Sequence, residues 1–268
     1  MTFRGRRILG LIVGALLVGA VAAAVQLFDM TLREPAWLSG WVLVGLVALL
    51  TIYNLRKKLA YPPLLPAAAW LQLHIYAGLA ALVIFLIHTG WALPNGWFES
   101  TLFLLFLVVA LSGVVGLFLS RAVPRRLTGR GQEVIYERIP VYRRELQDEA
   151  QSLVTRAVKE HEAQTLAEFY EHRLIDFFAG PRHRLHHLIQ SNRPLTQLRE
   201  GLRARRRYMS EPEQTEADKL VELIEAKDDL DYHQAMQGAL KGWLFVHVPA
   251  TYATLVAIVL HVILVFQY

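Results

Sequence analysis

Four of the ten histidines lie in stretches that hold no formal charge. His74 and His88 share one stretch, and His247 and His261 share another. Within each pair the spacing is fourteen residues. At about 100° and 1.5 Å per residue this is nearly four helical turns, so both rings share a face and lie roughly 21 Å apart. A polar ring facing lipid without a partner costs on the order of several kcal/mol, so two matched pairs call for a common explanation. If the two helices are parallel, His74 comes level with His247 and His88 with His261. Two imidazoles at each of two depths would suit the axial positions of two stacked six-coordinate b-type haems. His74 and His247 would hold the inner iron, and His88 and His261 the outer. The second ring nitrogen of each would bond a carbonyl of the preceding turn. Two other arrangements fit four such residues. One is four independent buried histidines bonded to Ser, Thr or carbonyl groups, and the other is a proton relay or a non-haem metal site.

The elements that position these rings follow from hydropathy. A bilayer-crossing helix needs roughly 20 mostly apolar residues. Five stretches qualify: Ile8 to Phe28, Trp37 to Tyr53, Pro66 to Leu93, Thr101 to Ser120 and Trp243 to Gln267. Continuous apolar runs satisfy their backbone in lipid only as helices. The first is preceded by Arg4, Arg6 and Arg7 like a secretory signal, but its apolar run exceeds a typical signal core, and we read it as an uncleaved anchor. Arg56, Lys57 and Lys58 follow the second span, and Arg121, Arg125, Arg126 and Arg130 the fourth. All three basic clusters fall on one face, so the expected orientation is N-terminus cytoplasmic and C-terminus at the outer face of the inner membrane. The fold expected is an all-α, multi-pass membrane protein whose five helices form a haem-binding bundle.

Charge is concentrated in one place. Residues 1–120 carry ten of the 51 formal charges, residues 243–268 none, and residues 121–242 the other 41. A soluble globular domain interleaves charge along its length, and that class is excluded. Neither disorder nor nucleic-acid binding fits as the main role. The expected organisation is four spans in 1–120, a helical cytoplasmic insertion in 121–242 and a fifth span in 243–268. Within the insertion, Gln132 to Ile139 reads as a short extended piece and Val141 to Phe178 as helix. Ser210 to Glu213 reads as a capping box for a helix ending near Lys227. The insertion looks too polar for a large core and is expected to pack as a helical cap. His183, His186 and His187 read as surface histidines, with a metal site as the sharper alternative. Arg203, Arg205, Arg206 and Arg207 read as a solvated or headgroup-facing cluster, with a redox-partner docking patch as the alternative. The chain has no cysteine, which excludes an internal disulfide, Fe–S cluster, thiolate zinc site or thioether-linked haem.

Several neighbours suit a haem slot. Ala81 lies seven residues from both His74 and His88, and Thr254 seven from both His247 and His261. Each would sit between the two macrocycles. Arg121, Arg125 and Lys241 are candidate propionate partners on the inner side, as are Trp91 and Asn95 on the outer. Ser112, Gly113 and Gly116 would flank a haem or pack a helix, and Gly10 and Gly14 read as a helix contact.

The two fourteen-residue histidine pairs resemble the membrane cores of di-haem cytochromes b. Their placement on the third and fifth spans, in one orientation, is similar to the ferric reductase and NADPH oxidase family. The resemblance covers spans three to five, and carried over it makes His74, His88, His247 and His261 axial ligands. That family continues into a sixth span and a flavin–nucleotide domain, whose motifs this chain lacks. The resemblance therefore implies an electron-transfer subunit carrying two non-covalent haem b groups between a quinone pool or soluble donor and a partner redox protein. Partners would be lipid, a quinone, and Fe–S, flavin or cytochrome c subunits. Alternatives are a membrane anchor that docks a cytoplasmic partner through residues 121–242, and a stand-alone ferric or quinone reductase.

Overall fold

The computed structural model describes residues 3–30, 35–55, 66–130 and 134–267. Among them all regular structure is helical. The chain divides into two compact units, one of Met1–Phe118 with Trp243–Tyr268 and one of Leu119–Gly242.

The first unit is built from α1 (Phe3–Met30), α2 (Pro35–Leu55), α3 (Ala67–His88), most of α4 (Trp97–Leu127) and the apolar part of α10 (Glu211–Gln267). All five are long and apolar enough to cross a membrane, which suits a multi-pass membrane protein. Residues 56–58 of the orientation signal lie outside the described residues, as do the side chains of Arg4, Arg6 and Arg7. Helices α1, α2 and α3 approach one another closely, whereas α3 and α10 stand further apart. Val21, Leu43, Val47, Ala77, Ile84, Phe85 and Phe106 form the shared core, with Leu255 and Ile258 of α10 packed against it. Large apolar side chains such as Leu16, Phe118, Phe245 and Val256 are exposed, as lipid-facing residues are. Gly10 lets Tyr76 of α3 lie against α1, while Gly14 has nothing near it, so only the first of that pair makes a contact.

Helix α3 stops at His88, five residues before the expected end. Gly90 and Trp91 both have φ of +59°, the left-handed conformation that ends helices. Helix α4 extends beyond both expected ends, with Pro124 inside it.

In the second unit, α5 (Ile139–His161) is followed by α6 (Gln164–Phe169), a π-helical turn (Tyr170–Leu174), α7 (Ile175–Ala179), α8 (Arg184–Leu188) and α9 (Arg193–Arg205). Three expectations fail here. The expected extended piece is a 3-10 turn over Tyr136–Arg138 that leads into α5, and residues 131–133 lie outside the described residues. The expected poor core is instead a sizeable one. Ala150, Leu153, Leu166, Phe169, Leu174, Phe178, Leu202, Leu220 and Ile224 are all buried together. Each polar helix keeps one apolar stripe, and the stripes face inward. The helix starting at Glu211 also does not end near Lys227. It runs unbroken to Gln267 over 57 residues, and Asp228, Asp229 and Asp231 within it are paired with arginines.

Candidate functional site

The first unit brings the four histidines together in the two pairs the spacing predicts. His74 of α3 faces His247 of α10 with ring centroids 6.4 Å apart and planes at 78°. His88 and His261 line one cavity of about 330 Å³ between α2, α3, α4 and α10. Its other walls include Trp37, Gly40, Trp41, Phe85, Phe106 and Ile258. The two levels therefore differ in their surroundings. At the first, Tyr53 lies 4.8 Å from the His74 ring and Trp243 stacks on His247 at 5.3 Å. At the second, Phe98 stacks on His261 at 6.5 Å.

The outer hydrogen bonds of the rings are not those expected. His247 Nδ1 lies 2.7 Å from Ser112 Oγ of α4, and His88 Nδ1 lies 3.0 Å from Ser39 Oγ of α2. The partners are hydroxyls of neighbouring helices rather than carbonyls of the preceding turn. His74 Nδ1 is buried without a partner of hydrogen-bonding geometry. Ser39 was missed in the sequence; its signal was a hydroxyl inside an otherwise apolar helix.

Glycines shape the same places. A Cβ at Gly116 would overlap the Trp243 indole, whose Nε1–H donates to the Ser112 carbonyl at 2.7 Å. A Cβ at Gly40 would come within 3.1 Å of His88 Cε1. Of the expected haem neighbours, Ala81 and Thr254 are buried, and the Thr254 hydroxyl donates to the Ala250 carbonyl at 2.8 Å. Arg121 and Arg125 are exposed, as are Trp91 and Asn95. Lys241 pairs with Glu137 and lies 4.0 Å from the centre of the Tyr136 ring.

The second unit holds a different cluster. Lys227 is fully buried, with Nζ 2.5 Å from Asp231 Oδ2, 2.9 Å from the Gly180 carbonyl and 3.9 Å from the centre of the Phe177 ring. Burial pushes its ammonium down to about 8, against the pull of Asp231. Asp231 also accepts from Arg143 at 3.4 Å and from the Arg182 backbone N–H at 2.9 Å. Arg130 grips Asp228 and Asp229 at 2.9 and 3.0 Å; burial nonetheless raises both carboxyls. His187 is buried, with Nε2 3.7 Å from Asp228, and burial lowers it. It is therefore not the surface histidine expected, whereas His183 and His186 are exposed. Two members of the basic cluster have partners within the unit. Arg206 forks onto Asp218 at 2.8 and 3.1 Å, and Arg205 lies over Phe169.

Among the described residues no group of three or more His, Asp or Glu side chains could hold a metal ion. Each histidine pair supplies two nitrogens and no carboxylate. No family model, curated protein or solved structure matches the chain.

Proposed function

We propose that this chain is a membrane electron-transfer subunit that holds two b-type haems, one on His74 and His247 and one on His88 and His261. The observation that carries this reading is the separation of the first two rings. A metal–imidazole bond is about 2.0–2.1 Å and a ring centroid lies about 1.1 Å behind its nitrogen, so two imidazoles sharing one metal would have centroids within roughly 6.3 Å of each other. The His74 and His247 rings stand at 6.4 Å. Two nitrogens are too few for the three or four protein ligands of a zinc site. They would suffice to hold a haem iron. At the second level, the apolar cavity shared by His88 and His261 suits a flat hydrophobic group.

Bound haem supplies reversible one-electron chemistry at iron. The chain contributes position, dryness and electrostatics. Apolar side chains of α2, α3, α4 and α10 keep water from the rings, and burial with fixed hydrogen bonds tunes the ligands. On this reading the protein lies in the inner membrane with its N-terminus cytoplasmic, following the basic clusters. It passes electrons between a quinol or soluble donor and a partner redox protein. With no cysteine in the chain, any Fe–S cluster or c-type haem in the route belongs to another subunit.

The test is a pyridine haemochrome assay with reduced-minus-oxidised spectra on the purified chain. Two haem b per chain are expected. His74→Ala and His247→Ala should each remove the same haem, and His88→Ala and His261→Ala the other. A chain without b-type haem overturns the proposal.

A further inference from the structure

The structure assigns Ser39 and Ser112 as positioning residues that set the tautomer of one histidine in each pair. A serine hydroxyl has one proton. Ser112 Oγ lies 2.9 Å from the Val109 carbonyl, and Ser39 Oγ lies 3.2 Å from the Ala36 carbonyl. A carbonyl oxygen has no proton to give, so each hydroxyl spends its own there and faces the imidazole with lone pairs. The Nδ1 contacts at 2.7 and 3.0 Å are then ring N–H groups donating to serine. Nε2 of His247 and of His88 is left as a bare lone pair, the form a metal binds.

The same device occurs twice in the sequence. Leu38-Ser39-Gly40 on α2 serves His88, and Leu111-Ser112-Gly113 on α4 serves His247. In each, the residue after the serine lacks a side chain next to the imidazole. An added Cβ would stand 3.1 Å from His88 Cε1 at Gly40 and 3.7 Å from His247 Cε1 at Gly113. Neither tripeptide lies on a histidine-bearing helix, and each level has one histidine held in this way. Each pair thus joins a ring fixed by a serine to a ring without one, and the fixed ring is on α10 at one level and on α3 at the other.

This inference rests on the haem reading only for the identity of the metal, and two measurements separate the two. In the first, the full-length chain labelled with 15N-histidine is prepared without haem in detergent micelles, and its ring tautomers are read by NMR. His88 and His247 should carry the proton on Nδ1. Ser39→Ala should release His88 alone and Ser112→Ala His247 alone, with Ser→Thr retaining the native tautomer at each. Nε2–H tautomers in the native chain, or Ser→Ala variants without effect, overturn the assignment. In the second, haemin is titrated into the same chains. Ser112→Ala should weaken one site and Ser39→Ala the other, each on the order of 10- to 100-fold, with threonine restoring affinity. A native chain that binds no haemin overturns the haem reading and leaves the NMR result to decide the serines. Haemin binding with both Ser→Ala affinities unchanged overturns the positioning role.

Discussion

Gly113 and Gly116 lie three residues apart on α4, and the structure separates their roles sharply. An alanine Cβ at position 116 would overlap three atoms of the Trp243 indole. The indole has little freedom to yield, because it stacks on His247 and its Nε1–H is bonded to the Ser112 carbonyl. Forcing extra volume into a packed site costs about 1–3 kcal/mol, and losing the indole hydrogen bond adds about 1 kcal/mol. Gly116→Ala should therefore destabilise the first unit by about 2–4 kcal/mol. Gly113→Ala places its Cβ in ordinary contact, 3.7 Å from His247 Cε1. It should be neutral or gain up to about 1 kcal/mol from the lower backbone entropy of alanine. The assay is unfolding of each full-length variant in mixed detergent, followed by tryptophan fluorescence and circular dichroism. Equal stability of the two variants would refute the placement of Trp243 against Gly116.

Three further outcomes are expected. Gly10→Ala should weaken the packing of α1 on Tyr76, by about 1–3 kcal/mol, while Gly14→Ala should not, and the same unfolding assay compares them. Lys227→Ala leaves the Asp231 carboxylate buried with only part of its compensation and should cost about 3–5 kcal/mol, read as a shift in the denaturation midpoint. Lys227 also sets a pH dependence. Its ammonium titrates near 8 in the folded chain against 10.5 when free, so between those values the folded state binds fewer protons than the unfolded. Stability should rise with pH across that window, by at most about 1.4 kcal/mol per pH unit. Lys227→Met should remove this rise, and an identical pH slope in both chains would refute it.

The five apolar helices were legible because a continuous apolar run of about 20 residues is a helix signal. Their ends were less so. Helix α3 stops at His88 because Gly90 and Trp91 turn left-handed, a backbone fact that hydropathy does not carry. The continuity of α10 was hidden for a different reason. Asp228, Asp229 and Asp231 put three charges within four residues, and Arg130 and Arg143 reach them only in the fold. Those partners lie some 90 to 100 residues away in sequence, beyond any local pattern. The hydrophobic core of the second unit was missed likewise, since no single helix there is apolar enough to announce it. The histidine pairing was readable because a fourteen-residue spacing fixes both phase and height on a helix. Ser39 was not, because its role depends on α2 lying beside His88, and the sequence alone does not give helix adjacency.

The same fourteen-residue spacing has an electrical meaning. Two levels roughly 21 Å apart in a hydrocarbon core about 30 Å thick are separated by roughly 70% of any potential applied across it. A unit charge moving from one pair to the other at 100 mV gains or loses about 1.6 kcal/mol. That biases occupancy of the two pairs by roughly fifteenfold. With the proposed haems in place, the positions of His74 and His88 along α3 would act as taps on a voltage divider, and the energised state of the membrane would become an input to which pair holds the electron.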